Sequence, residues 1–182
     1  QTPSLPVNFP ILTELMGTPR PLGNGYLLFD LKTGSDVYNY IVILNADLEV
    51  VWWREDPIGC SDIHQTPQGT LKGICNNLVT EMLLTGETLN RSPVEAEGRE
   101  DINLHHELHA LPEGGYLSLH SERIQVDEFP VSNESPETLA PNEIRSDELL
   151  WVDSDLQLID SWHLSDLLPT SRIGFDSLSR NP

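Results

Sequence analysis

The stretch that decides the fold spans residues 101–120 and has the sequence DINLHHELHALPEGGYLSLH. A histidine-bearing segment is followed by a Pro-x-Gly-Gly turn and then by an apolar strand that begins at Tyr116. Turn residues between two apolar, alternating runs predict a β-hairpin. Four of the six histidines of the chain lie in this stretch, which is more than a turn requires. We therefore expect it to be part of an active site, or the remnant of one.

The same outline occurs once more, 45 residues earlier in the chain. The segment HQTPQGTL, which begins at His64, matches HALPEGGY, which begins at His109, with the histidine, the proline and the first glycine in register. Repeats of about 40–50 residues, each with several short strands, are typical of β-propeller blades. The repeat therefore predicts radial sheets built from successive hairpins.

Two further hairpins are predicted on either side of the repeat. The first joins YNYIVILN (38–45) to LEVVWW (48–53), and the second joins the run at 148–152 to the run at 156–162. No amphipathic run of ten or more residues with helix caps occurs. The expected fold class is all-β, with about three four-stranded propeller units. These units form an incomplete ring that needs a further segment, because open sheet faces and strand edges are otherwise exposed.

The predicted domain organisation has two parts. Residues 1–24 contain five prolines and show little periodicity, which predicts an extended N-terminal arm that packs along a sheet. Residues 25–182 are expected to be the N-terminal half of a β-propeller, with acidic surface excursions at 90–100 and 127–145. The expected partner is a second polypeptide or a C-terminal segment that completes the ring.

Charge limits the classes of partner. The 182 residues include 29 acidic and 10 basic side chains, for a net charge of −19. Nucleic acids and acidic membrane surfaces attract clustered Lys and Arg, so both are excluded as expected partners. No apolar stretch is long enough to predict a membrane span. The chain starts at Gln1, which is expected if a leader peptide has been removed or if the chain was shortened for study.

The two cysteines and two sequence motifs point outside the cytosol. A disulfide between Cys60 and Cys75 closes a loop of about 15 residues, worth roughly 3 kcal/mol in the chain-entropy model. Two unrelated buried thiols are the alternative. Asn90 and Asn133 each begin an N-x-Ser tripeptide, the acceptor pattern for N-glycosylation. The expected location is extracytoplasmic, either secreted or periplasmic.

The histidine stretch resembles a known family. The run His105-His106-Glu107, followed by a Leu-Pro-x-Gly turn and an apolar strand, is similar to the nucleotide-independent arylsulfotransferases. The segment GYLLF from Gly25 and the segment LNADLEVVW at 44–52 also resemble the opening blade of that family. The resemblance implies the N-terminal half of a six-bladed propeller. It also implies an enzyme that transfers a sulfuryl group from an aryl sulfate to a phenolic acceptor through histidine chemistry.

The sequence departs from the family pattern at several points. Glu113 and Gly115 replace the two Asn residues of the family's turn. The later Asp-Trp-x-His-x-Asn motif, the Arg and the histidine that becomes sulfated have no match here. The resemblance therefore implies one part of the site and does not assign the nucleophile to His105 or His106.

The candidate catalytic residues are His105 and His106, with Glu107 as an orienting residue. Imidazole can stabilise charge on the transferring oxygens and protonate a leaving phenolate near neutral pH. In a regular strand, Glu107 shares a face with His105 and His109, whereas His106 shares the opposite face with two leucines. The alternative is that both histidines are structural residues at a strand end.

The remaining polar residues have simpler interpretations. A zinc site of His105, Glu107 and His109 needs a helix to bring its i, i+4 pair together, so no metal is expected, and no cofactor either. His64 and His109 are expected to anchor turns, and His120 and His163 to be ordinary strand residues. Asn and Asp at 45–47 and 153–155 are turn formers rather than calcium ligands. The four tryptophans are expected to pack in the blade cores.

Two classes of function remain open. The first is an arylsulfotransferase-like enzyme. The second is a non-catalytic secreted acidic propeller that serves as a binding or assembly module. The presence or absence of further catalytic groups on the completing segment would distinguish them.

Overall fold

In the part of the chain that the structure describes, β-strands are the main secondary structure. The computed structural model describes residues 4–12, 25–32, 39–56, 59–100, 102–132 and 135–170. Within these ranges the strands are β1 (Leu27–Lys32), β2 (Asn39–Leu44), β3 (Val50–Glu55), β4 (Cys60–Gln65), β5 (Leu71–Cys75), β6 (Leu78–Met82), β7 (Thr88–Ser92), β8 (Leu104–Ala110), β9 (Tyr116–Pro130), β10 (Leu139–Val152) and β11 (Leu158–His163). One short helix, α1 (Leu164–Leu167), follows them. The predicted all-β class is confirmed.

The strands pair into three antiparallel sheets, in the orders β1-β2-β3, β4-β5-β6-β7 and β8-β9-β10-β11. Within each sheet, every strand is bonded to its neighbours in sequence, which is the order found in a propeller blade. Two sheets have the predicted four strands, and the first has three among the described residues. The chain divides into two compact units, Gln1–Pro93 with the first two sheets and Val94–Pro182 with the third.

A disulfide and a shared core stabilise the first unit. Cys60 of β4 and Cys75 of β5 lie opposite each other in the strand register and are bonded, as predicted. They belong to a buried cluster with Ile41, Ile63, Leu71 and Met82. Because Ile41 comes from the first sheet and the other members come from the second, this cluster joins the two sheets of the unit.

The described part of the N-terminal segment packs on the first sheet. The ring of Phe9 lies 5.0 Å from that of Tyr40 and 6.3 Å from that of Trp53, between ring centroids. Tilted and edge-on aromatic pairs of this kind contribute about 0.5–1.5 kcal/mol each beyond the area they bury. Phe9 therefore packs against the aromatic residues of the first sheet, and the extended arm over residues 1–24 stays a prediction.

The second unit carries an unusually long hairpin. β9 has 15 residues and β10 has 14, but β8 pairs with β9 only as far as His120, and β11 pairs with β10 only as far as Glu148. The hairpin beyond these points is a two-stranded extension. The sequence predicted an acidic surface loop at 127–145. In the structure, most of this stretch is instead part of the hairpin, because strand pairing continues to Pro130 and Leu139. Exposed acidic residues are compatible with a two-stranded ribbon because neither face has to be buried.

The repeated sequence outline corresponds to a repeated turn. The backbone N–H of Thr66 donates to the carbonyl of Thr70 at 2.8 Å, and 45 residues later Leu111 donates to Gly115 at 3.1 Å. In the first turn Gly69 has a φ of +83°, a conformation that glycine adopts without steric cost. The predicted register between the two hairpins is thus present in their hydrogen bonds.

The helix α1 is a single turn of four residues and contributes no buried side chain. In the described ranges no helix has both the length and the hydropathy needed to cross a bilayer.

Candidate functional site

A β-bulge positions the two adjacent histidines. His105 pairs with Leu119 and Leu108 pairs with Ser118, so two consecutive residues of β9 face positions that are three apart on β8. His106 and Glu107 are the extra residues, and His106 has a φ of +61°. Bulges redirect side chains in this way and occur often beside functional sites.

The bulge changes the predicted side-chain faces. Leu104 and Leu108 are buried, as expected for residues on one face, but His106 is exposed and does not share their environment. The prediction assumed strict alternation along the strand, which an insertion interrupts. His105, on the regular part of the strand, is half-buried.

His105 has a carboxylate partner. Its Nε2 lies 3.1 Å from Oδ1 of Asp147, and both side chains are partly accessible. Asp147 belongs to β10, two strands away from β8, and pairs through its backbone with Ser121 of β9. The contact therefore passes over β9 near Ser121, a residue with a small side chain. It holds the imidazole plane and supplies a negative charge beside it.

The two imidazoles also contact each other. Their ring centroids are 4.9 Å apart and the planes are nearly perpendicular, at 88°. Glu107 is exposed, and its backbone carbonyl accepts a hydrogen bond of 2.6 Å from the hydroxyl of Ser118. The carboxylate that contacts His105 is thus that of Asp147, which the sequence did not indicate. The orienting role of Glu107 stays a prediction.

This arrangement has the elements of acid–base chemistry. An imidazole can give or accept a proton near neutral pH, and an adjacent carboxylate fixes its orientation and stabilises its protonated form. His106 is accessible beside it. The pair can therefore hold an anionic group and exchange a proton with it.

A second polar cluster lies on the same sheet. Leu104, His120, Glu148 and His163 are successive partners across the four strands. Glu148 is fully buried. His163 Nδ1 lies 2.7 Å from Oε1 of Glu122, and His163 Nε2 lies 3.7 Å from Oε1 of Glu148. The sequence predicted an ordinary strand residue at His163, whereas the structure puts it between two carboxylates.

Arg99 is the fourth member of this cluster. Contacts within the cluster shift the pKa values of Arg99, Glu148 and His163. Burial raises the pKa of Glu148, but hydrogen bonds from Arg99 and Ser161 outweigh it, so the pKa lies below its ordinary value. The hydrogen bond to Glu122 raises the pKa of His163. The hydrogen bond to Glu148 likewise raises the pKa of Arg99. Glu148, His163 and Arg99 are therefore each favoured in their charged forms, as one negative and two positive charges.

We tested this cluster as a metal centre. Among the described residues, Glu122, Glu148 and His163 have ligand atoms within 4.8 Å of one another. However, the guanidinium of Arg99 occupies both oxygens of Glu148, and a histidine with a raised pKa favours its proton over a metal ion. The cluster is therefore a closed ion-pair network. The sequence analysis did not identify this network, and the charged residue Glu148 at the start of the apolar run 148–152 was the signal that could have indicated it.

Neither cluster includes the predicted glycosylation and turn residues that the structure describes. Asn90 is exposed on β7, and its side-chain oxygen accepts a hydrogen bond of 3.0 Å from Ser92. Asn133 lies outside the described residues. His64 contacts the carbonyl of Asp62 at 3.3 Å, and His109 is exposed. Glycosylation at both asparagines stays a prediction.

Comparison with known protein families and with curated proteins gives no match to this chain. Among solved structures, the chain is similar to a protein of unknown function from Bacteroides caccae, with 14% identity and a TM-score of 0.29. The similarity covers 73% of this chain and 62% of that protein, so this chain spans less than two thirds of its length. A TM-score this low carries no argument about function.

Proposed function

We propose that this chain supplies the imidazole part of an arylsulfotransferase-like site. The observation that carries the proposal is the contact between His105 and Asp147, with Nε2 and Oδ1 3.1 Å apart and His106 accessible beside them. A carboxylate in this position keeps the ring oriented. An imidazolium is the group that a sulfate anion needs inside a chain with a net charge of −19.

The proposed reaction moves a sulfuryl group from an aryl sulfate to a phenol. The bond between sulfur and the aryl oxygen breaks with its electron pair on that oxygen, which takes a proton from an imidazolium of the pair. The phenolic acceptor acts as the nucleophile that receives the sulfuryl group. Its proton passes to an imidazole, and its oxygen forms the new bond to sulfur. The products are a new aryl sulfate and a new phenol, and the pair ends with its original proton count.

We further propose that a second polypeptide or a C-terminal segment completes the propeller and carries the remaining catalytic groups. The support is the blade-like order of the three sheets, because closed propellers have four to eight blades. The disulfide between Cys60 and Cys75 supports an extracytoplasmic location, since such bonds persist in oxidising compartments.

The test uses the full protein with 4-nitrophenyl sulfate as donor and phenol as acceptor. We expect His105→Ala and His106→Ala each to lower kcat by roughly 10²-fold or more, the usual contribution of a general acid or base. His109→Ala is the matched control, because it removes an exposed imidazole from the same strand. If the His105→Ala and His106→Ala variants transferred the sulfuryl group as fast as the original protein and the His109→Ala control, the histidine pair would be excluded from the mechanism.

A binding or assembly module is the second candidate. It is favoured by the hairpin extension. Among the described strands, β9 beyond His120 and β10 before Glu148 each have one edge that pairs with no other strand. Such edges can pair with a strand of another chain. Native mass spectrometry of the full protein tests it: a defined complex without sulfuryl transfer supports the module, and an isolated monomer counts against it.

A further inference from the structure

The first unit contains a cleft that the histidine pair does not use. It has a volume of about 550 Å³, within the range of small-molecule sites. Leu28 and Ile43 line it from the first sheet, and Ile63 and Leu71 line it from the second. Both walls are therefore formed by apolar strand residues of this unit.

The cleft has a fixed aromatic wall. Trp52 lines it and also packs against the buried cluster that joins the two sheets. The indole N–H of Trp52 donates to the carbonyl oxygen of Leu84 at 2.7 Å. Because the N–H is already used and the ring is packed, the indole offers a ligand an apolar, rigid surface rather than a hydrogen bond.

Three polar side chains line the cleft, those of Tyr26, His64 and Gln65, and His64 is the one that β4 holds through a contact with its own backbone. His64 lines the cleft, and its Nδ1 lies 3.3 Å from the carbonyl oxygen of Asp62. A carbonyl can only accept, so this contact requires the proton on Nδ1, and in the neutral ring Nε2 is then an acceptor. None of the described residues that line the cleft is an Asp, Glu, Lys or Arg.

These features define the chemistry of the ligand. We propose that the cleft binds an uncharged, flat aromatic alcohol, with its ring against Trp52 and its hydroxyl donating to Nε2 of His64. A charged ligand would lose its hydration without gaining a counter-charge. An anion would also meet the field of a protein with a net charge of −19. This proposal does not depend on sulfuryl transfer, so evidence against either proposal leaves the other unaffected.

The experiment is calorimetric titration of the full protein with 2-naphthol. We expect saturable binding with one site per chain. Two matched probes isolate the two determinants: 2-naphthoate keeps the rings and adds a charge, and decahydro-2-naphthol keeps the hydroxyl and removes the aromaticity. Each is expected to bind at least tenfold more weakly than 2-naphthol.

Variants locate the site. Val51 is on the rim of the cleft and 36% exposed, so Val51→Trp should fill the space without disturbing the core and should abolish binding. Leu84→Trp, on another part of the rim and 40% exposed, repeats the test. Val131→Trp, at an exposed position of the second unit, is the control and should bind normally. His64→Leu should weaken 2-naphthol several-fold and leave naphthalene unchanged.

Three results would overturn the proposal. The first is the absence of saturable 2-naphthol binding by the folded protein. The second is equal affinity for 2-naphthol and 2-naphthoate. The third is unchanged binding by a rim variant whose circular dichroism matches that of the original protein, because the ligand would then lie elsewhere.

Discussion

Arg99 and Glu148 form a two-point ion pair, with Nη1 3.0 Å from Oε1 and Nη2 2.6 Å from Oε2. The planar guanidinium matches the carboxylate, so both oxygens are satisfied at once. Arg99 lies in the segment that enters the third sheet, and Glu95 of that segment exchanges backbone hydrogen bonds with the turn before β11. The pair therefore fixes this segment to the fully buried side chain of β10.

Loss of this pair should be costly because it leaves a buried carboxylate without its partner. We expect Arg99→Met to lower the free energy of unfolding by about 3–5 kcal/mol, measured by urea denaturation. Arg123→Met is the matched control, since Arg123 pairs with Glu143 at an exposed position and should cost about 1 kcal/mol or less. The double variant Arg99→Met/Glu148→Leu should recover part of the loss. Similar costs for the two single variants would contradict the buried-pair interpretation.

The contact between His163 and Glu122 predicts a dependence of stability on pH. The hydrogen bond raises the pKa of His163 above its ordinary value of 6.5. Its stabilising contribution is therefore fully present below that ordinary value, which applies to the unfolded chain, and is lost as pH rises through the higher folded value. We expect the free energy of unfolding to fall over this window in the original protein.

The His163→Gln variant isolates this contribution. The difference in unfolding free energy between the original protein and the variant should be larger at pH 5.5 than at pH 9. His109→Gln is the control, because His109 is exposed on β8. A difference that does not change with pH would show that protonation of His163 is not linked to folding.

The sequence was sufficient for the parts of the fold that depend on local signals. Turn residues between apolar runs located the hairpins, and the repeated outline anticipated the matching turns at Thr66 and Leu111. The disulfide between Cys60 and Cys75 was predicted, with two unrelated thiols as the alternative, and the structure contains the bond. Local sequence patterns predict hairpins and their turns because the residues that determine each hairpin are close in sequence.

The site could be predicted only in part because its contacts are distant in sequence. The histidine pair was visible as a motif, but Asp147 is 42 residues from His105. The bulge that exposes His106 has no composition signature, since any residue can be inserted. His163 was misjudged because its environment depends on Glu122 and Glu148, which reach it only after three strands have paired.

The turn between β8 and β9 provides a steric test of the fold. Gly115 has a φ of +80°, and a Cβ there would overlap the carbonyl oxygen of Val152. Gly114 has a φ of +98°, but a Cβ there would meet nothing within 4 Å. Gly114→Ala should therefore cost about 1–2 kcal/mol for its backbone conformation alone. Gly115→Ala should cost at least about 1 kcal/mol more, and thermal unfolding of the two variants provides the comparison. Equal costs would mean that β10 does not approach this turn as closely as described.

Leucine occupies the left-handed position in two further turns, and the two cases should respond in opposite directions. Leu48 has a φ of +61° and is 41% exposed, whereas Leu156 has a φ of +65° and is 6% exposed. Leu48→Gly removes the steric cost of the left-handed backbone. After allowance for the entropy of glycine it should raise the unfolding free energy by about 0.5–1 kcal/mol. Leu156→Gly gains the same relief but loses a buried side chain, so it should lower the unfolding free energy by about 2 kcal/mol or more. Urea denaturation of both variants checks the signs. A destabilised Leu48→Gly would mean that the apolar contacts of this leucine outweigh its backbone strain.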